Sequence, residues 1–360
     1  MAPNTLSPLR LYVARPTLRI EGREHEEVGA ALRSMRMRED EGGMSSMELE
    51  FVNWASRADA SAGPAFEDEG VLGFGTRITV YAGQADSPTE IFAGRVSAIE
   101  YAYDADGPPR LVVHAEDALA AARAERRSEL HHKRSVADIA RDVAGRCGLR
   151  PDIHGLEERE GDEVQLNETD LGFLRRLLAR RDADLQVVGD ALVVGLRADL
   201  SRGSVELDLA GQLLRLRAVA DLSAQVTDVR VTGFDPASGE AVSGNGASEG
   251  FAADRSGADI RRRAFGERVE QVGHRVALTQ AEARGLARAE FARRARNFVT
   301  VDAEAMGNPA IRVGAEVEFT GVPSRWRVRY RVEEVVHRYD QQDGYRTEFT
   351  AGSPVLGAVS

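Results

Sequence analysis

One cysteine, Cys147, stands in 360 residues. A lone thiol excludes an internal disulfide framework and a zinc or iron–sulfur site built from several cysteines. Folding in a reducing cytosol is the simplest reading. Lysine is as scarce, with Lys133 alone among arginines; the bias reflects a GC-rich coding sequence and says little about function. Positive charge is not in excess: the formal charge is −11 and the pI about 5.3. That balance argues against specific nucleic-acid binding, which needs clustered basic side chains. No apolar run exceeds about five residues, far short of the roughly 20 that span a bilayer, so no membrane insertion is expected. The stretch from Met1 to Val13 lacks a cationic segment followed by an apolar one, so no secretory signal is expected either. Against these absences, 42% hydrophobic and 29% charged residues describe a folded chain of two or three domains.

Period-2 alternation predicts strands at both ends of the chain. Arg10–Val13, Thr17–Ile20, Met47–Phe51, Thr76–Tyr81 and Ile91–Tyr103 come first, with a turn at Asp106–Gly107 and a return strand Leu111–His114. The Gly-, Asp- and Ala-rich stretch 57–70 reads as a loop. The middle is helical. Ala118–Arg127 is Ala- and Arg-rich. Ser135 with Asp138 forms a capping-box variant ahead of the apolar stripe Val136, Ile139, Ala140 and Val143. Thr169 or Asp170 caps a helix carrying Leu171, Leu174, Leu177 and Leu178, and a hairpin turns at Gly189–Asp190. Strands return at Val205–Leu209, Leu213–Val219 and Gln225–Thr232. Residues 235–250 read as a Gly/Ser-rich surface loop. Thr279 and Glu282 open a helix to Arg296, and strands follow at Val299–Ala303, Ala315–Thr320, Trp326–His337 and Tyr345–Thr350.

Two hairpins echo each other at a separation of 236 residues. Arg95–Val96, Ile99, Tyr103–Asp104 and Asp106–Gly107 match Arg331–Val332, Val335, Tyr339–Asp340 and Asp343–Gly344. Upstream, Gly75-Thr-Arg-Ile-Thr-Val parallels Gly314-Ala-Glu-Val-Glu-Phe. Either antiparallel hairpins merely share such features, or the chain holds two related β-domains. In the second case three chains would form a ring of six similar units.

A family resemblance enters through Gln165-Leu-Asn-Glu-Thr-Asp-Leu-Gly-Phe-Leu-Arg-Arg-Leu-Leu and the hairpin after it, Leu185-Gln-Val-Val-Gly-Asp-Ala-Leu. They resemble the helix and hairpin of baseplate hub proteins, the family of the phage late control protein D and the hub half of VgrG-type spike proteins. Ser135-Val-Ala-Asp-Ile-Ala, Ile91-Phe-Ala-Gly-Arg-Val, His114-Ala-Glu-Asp-Ala-Leu, Gly314-Ala-Glu-Val-Glu-Phe-Thr-Gly, His337-Arg-Tyr and Gly344-Tyr-Arg-Thr-Glu-Phe extend it over about residues 72 to 351. The resemblance implies a mainly β fold with an α+β middle, in which two related antiparallel β-barrel tube domains flank a helix-hairpin domain. The expected division is 1–117 for the first barrel, 118–203 for the middle, 204–234 with 297–356 for the second barrel, and 235–296 for an inserted loop and helix. It also implies a homotrimer that adapts a hexameric inner tube to a separate trimeric spike beside other baseplate proteins, assembled in the bacterial cytoplasm, without cofactor or catalysis of its own. A tail-tip wall hydrolase and a glycan-binding barrel protein are the alternatives from other classes; an aromatic content of only 6% is low for the latter.

Other motifs read as structure. Gly246-Ala-Ser248-Glu-Gly250 fits G-x-S-x-G but lacks the apolar strand and following helix of a nucleophile elbow. Gly73-Phe-Gly75 lacks the third glycine of a dinucleotide loop. Asp104-Ala-Asp106-Gly107 is a turn, His131–His132 has no metal-spaced companions, and Asn167-Glu-Thr169 is a cap. The candidate interface residues are arginines. Arg325, Arg327, Arg329 and Arg331 alternate with Trp326, Val328, Tyr330 and Val332, as either a solvated strand face or a surface facing a neighbouring subunit or tube. Arg284 and Arg288, with Arg293, Arg294 and Arg296, line the polar face of the helix to Arg296, which is either solvated or packed on a neighbour.

Overall fold

A computed structural model describes residues 15–56, 62–66, 69–83, 88–159, 161–247, 255–273 and 277–358. The predicted strand Arg10–Val13 and Ser248 of the G-x-S-x-G match lie outside them. The protein is mainly β with antiparallel sheets, as expected. The first unit contains β1 (Thr17–Ile20), β2 (Leu32–Asp40), β3 (Ser45–Val52), β4 (Arg77–Gly83), β5 (Pro88–Ala102) and β6 (Arg110–Glu116). The second contains β7 (Ser204–Asp208), β8 (Leu213–Ala220), β9 (Val299–Met306), β10 (Glu316–Thr320), β11 (Arg329–Asp340) and β12 (Gly344–Ser353). Within the units the strands run β1-β4-β5-β6-β3-β2 and β7-β10-β11-β12-β9-β8. The two orders correspond strand for strand. Only the first member differs in sense, β1 being antiparallel to β4 and β7 parallel to β10.

The correspondence reaches single hydrogen bonds. The β5–β6 register shifts between Val96 and Ala98, and the β11–β12 register between Val332 and Glu334. The β2–β3 register shifts between Leu32 and Ser34, and β8–β9 between Leu213 and Arg215. The Gly75 N–H donates to Val96 O at 2.9 Å and the Gly314 N–H to Val332 O at 2.9 Å. Both glycines have left-handed φ, 77° and 86°, which only glycine adopts at little cost. A bulge is a specific local device, and matching bulges at matching positions mark a duplicated unit.

The expected pair of closed barrels is corrected by the strand order. Among the described residues no sheet closes on itself. β2 instead pairs antiparallel with β11, Glu334 opposite Asp40 through Asp340 opposite Ser34, and joins both units into one thirteen-stranded sheet. The first core (Met35, Met37, Leu49, Phe51, Ile78, Val113) accordingly includes Tyr339 and Tyr345 from the second unit. A separate core of Phe319, Tyr330, Val332 and Phe349 fills the second.

The middle region has its own core around α1 (Val136–Arg146) and α2 (Asp170–Ala179). Ser135 and Asp138 form the predicted capping box, and the Thr169 hydroxyl accepts from Gly172 N–H. The predicted helix Ala118–Arg127 is shorter, Ala120–Ala124; strand Arg126–His131 follows and pairs with Glu163–Thr169.

Residues 235–250, read as a loop, are also corrected. Glu240–Ala247 is a strand antiparallel to Asp228–Asp235, which pairs on its other side with Val269–Val272. Helix α3 (Gln280–Arg296), capped by Thr279, lies across this sheet. The glycines permit that approach. A Cβ on Gly244 would meet Ala283 backbone at 2.3 Å, and one on Gly246 would meet Ala287 backbone at 2.0 Å. Gly246→Ala is therefore expected to lower stability by about 1–3 kcal/mol, the usual cost of overpacking, as a reduced denaturation midpoint. Gly239→Ala, where no atom lies within 4 Å but φ is 75°, tests backbone strain alone and should cost about 1 kcal/mol.

Candidate assembly interface

The seam between β2 and β11 shows how two of these units dock. Leu32, Met35 and Met37 alternate with charged residues along β2, so the apolar set faces the core. Across the seam Met37 lies opposite His337 and Met35 opposite Tyr339, all four buried. Arg38 pairs with Glu334 at 3.0 Å on the exposed face.

Glu39 pins the end of the seam. Its carboxylate is buried and receives Arg202 Nη1 at 2.5 Å and Arg312 Nε at 2.7 Å. Burial would raise its pKa, but the two guanidinium groups outweigh burial and hold the carboxyl below its ordinary range. Glu39 belongs to the first unit, Arg312 precedes β10 of the second, and Arg202 lies at the end of the middle region. One carboxylate thus ties three parts of the chain together. A second tie runs from Arg296 at the end of α3 to Asp182, at 2.5 and 2.7 Å. Next to Glu39 across the seam, His337 is fully buried. Its Nδ1 contacts Tyr345 Oη at 2.8 Å and Thr347 Oγ1 at 3.2 Å. Burial, then the nearby Arg312, push its pKa down to about 3.

The predicted arginines fall in two places. Arg325 sits in a 3-10 turn, Ser324–Trp326, and the strand begins only at Arg329. The expected unbroken alternation from Trp326 is therefore corrected: Tyr330 Oη donates to Trp326 O at 2.9 Å and holds the turn beneath the strand. Arg325, Arg327 and Arg329 are exposed. Arg331 turns inward and donates to Leu200 O at 2.8 Å. Arg284 and Arg288 are exposed on α3, opposite the buried Ala283, Leu286, Ala287 and Phe291. Arg293 and Arg294 clamp Glu290, and Arg294 also holds Glu270. No contact among the described residues brings Arg284 and Arg288 to the Arg325–Arg329 group.

The sequence reading missed β2, although Met35 and Met37 alternating with Arg36 and Arg38 carry the period-2 signal. Open strand edges are expected to be closed by neighbouring chains, but the sequence does not say which strands carry them. Among the described residues, β8 has a neighbour on one side only, and β5 loses its β4 neighbour beyond Val96.

A family model described as the Alg8 N-terminal domain matches residues 60–341. No curated protein matches the chain. Among solved structures, the 43 kDa tail protein of prophage MuSo2 from Shewanella oneidensis is 14% identical with a TM-score of 0.68, covering 94% of this chain and 98% of that one. The tail protein from Neisseria meningitidis MC58 is 13% identical with a TM-score of 0.65, over 95% and 96%. The E. coli c3393 protein, described as a component of the type VI secretion system with similarity to bacteriophage T4 tail proteins, is 14% identical with a TM-score of 0.62, over 95% and 79%. At these identities the likeness is one of fold.

Removing the charge of Glu39 leaves two buried guanidinium groups without a counter-ion. Glu39→Gln should cost about 3–5 kcal/mol in chemical denaturation, well above the cost of Glu48→Gln on the exposed face. His337 is depressed in the folded state, so the unfolded chain binds its proton first. Its contribution to stability is complete above about pH 6.5 and is lost as pH falls toward 3. His337→Gln should remove that part of the acid slope, so denaturation curves of variant and wild type should converge as pH falls through this window.

Proposed function

The chain belongs to the family described as the Alg8 N-terminal domain, and from the fold it shares with phage tail and type VI secretion proteins we propose that it is a structural part of a contractile injection machine, with no catalytic role. Its place is the baseplate hub. Three chains of two units each form a ring of six similar docking positions between a sixfold inner tube and a threefold spike. The carrying observation is the duplication, with its matched bulges and matched Gly–Val hydrogen bonds, because a chain with two like units converts threefold into near-sixfold symmetry.

The domains in this reading are 1–117, 118–203, and 204–234 with 297–356, the remainder forming the layer that carries α3. The exposed Arg325, Arg327 and Arg329, and Arg284 with Arg288 on α3, supply guanidinium groups for carboxylates of a tube subunit, a neighbouring hub chain or another baseplate protein. The hub is assembled in the bacterial cytoplasm and then resides in the tail or injection particle.

Mass photometry at micromolar concentration, alone and with the spike protein, tests the ring. The expected species is three times 39.1 kDa, and a chain that stays monomeric under both conditions overturns it. Arg325→Glu with Arg329→Glu should weaken pulldown by tube or baseplate partners at least tenfold, about 1.4 kcal/mol, and leave the denaturation midpoint of the lone chain unchanged.

A further inference from the structure

Each chain contains one seam between units and the two unused halves of another. In the seam, the outer edge of β2 meets β11 where β10 has left it: β10 pairs with Arg329 to Arg331, and β2 takes over from Glu334. The duplication places β8 where β2 stands and β5 where β11 stands. Its registers fix the correspondence by residue. Met37 lies opposite Met47, which lies opposite Ala115. Ala218 lies opposite Val301, which lies opposite Ala351. Met37 thus corresponds to Ala218, Met35 to Leu216, His337 to Tyr101 and Tyr339 to Tyr103.

These equivalents differ sharply in exposure. His337 is 0% and Tyr339 6% exposed, whereas Tyr101 is 62% and Tyr103 64% exposed. Met35 and Met37 are buried, whereas Leu216 and Ala218 are half-buried on an edge flanked by the exposed Leu214 and Val219. Two large aromatics on a free sheet edge are a standing invitation to pair with another strand.

We propose that β8 of one copy adds antiparallel to the edge running from Ala98 in β5 through the residues after it to Asp104 in a second copy, in the register of the internal seam. This specifies the contact within the ring proposed above and rests on that reading. Transferring the register places Asp221 opposite Ala98, Val219 opposite Glu100, Leu216 opposite Tyr103 and Arg215 opposite Asp104. The last pair joins opposite charges, both exposed in the lone chain. The contact is head-to-tail: every copy offers one edge of each kind, so a ring leaves neither of these two edges unused. The intermolecular seam lacks one thing. Ala220 stands where Glu39 does, so no buried carboxylate locks it, and it forms by strand pairing, aromatic burial and the exposed Arg215–Asp104 pair.

Cysteine pairing tests the register in the full chain, in a Cys147→Ser background. Asp104→Cys with Arg215→Cys lies at exposed positions and should yield a disulfide-linked dimer and trimer on non-reducing gels. The yield should be at least tenfold above that of Asp104→Cys with Arg217→Cys, which is displaced by two residues. Mixing the two single variants should give the dimer, and either single variant alone should not. Mass photometry of the same samples separates the outcomes. A trimer in which 104 and 215 do not cross-link overturns this seam and leaves the ring standing. A chain that is neither trimeric nor cross-linked overturns both.

Discussion

The structure hangs on an antiparallel pairing between strands almost 300 residues apart. β2 docks on β11 and turns two separate sheets into one. Backbone pairing alone leaves register open to slippage, because neighbouring registers make similar ladders. Two features remove that freedom. Met35 and Met37 must face inward, which excludes a shift by one residue. Glu39 must reach Arg202 and Arg312, which excludes a shift by two. The buried carboxylate is therefore better understood as a register pin than as a source of net stability, since the desolvation of three charges offsets much of their attraction.

The same pin decides how the middle region sits. Arg202 leaves the middle region and reaches Glu39 and Gln186, and Arg296 at the end of α3 reaches back to Asp182. The middle region is thus tied to the sheet, and α3 to the middle region, by buried or half-buried ion pairs, while their own cores remain separate. Arginine suits this role because its planar fork serves two acceptors from one side chain. The poverty in lysine, unremarkable as composition, coincides with a tertiary structure in which the ion pairs between regions are made by guanidinium groups.

Much of this was readable in the chain and some was not. The helix caps at Ser135, Thr169 and Thr279 were legible because capping is local chemistry. The duplication was legible because glycine, bulge and turn residues recur in order. The strand Glu240–Ala247 was hidden because Gly244 and Gly246 read as flexibility, whereas they are the close-packed floor under Ala283 and Ala287. β2 was overlooked despite its alternation because its charged residues, Arg36, Arg38, Glu39 and Asp40, outweigh its methionines in a hydropathy reading. Arg331 was grouped with its exposed neighbours because alternation reports which face a residue takes. It cannot report that the face is covered by Leu200.

The amino-acid sequence by itself determined the class of the fold, the positions of its helix caps, the existence of two like units and the absence of disulfide and multi-cysteine metal chemistry. Each of these follows from residues near one another in the chain or from composition. Only the tertiary structure decided that the units share one open sheet instead of closing into two barrels, which strand edges remain free, and which arginines are spent inside the molecule. Those outcomes depend on contacts between residues hundreds of positions apart, where one burial event selects among pairings that local propensity leaves nearly equal.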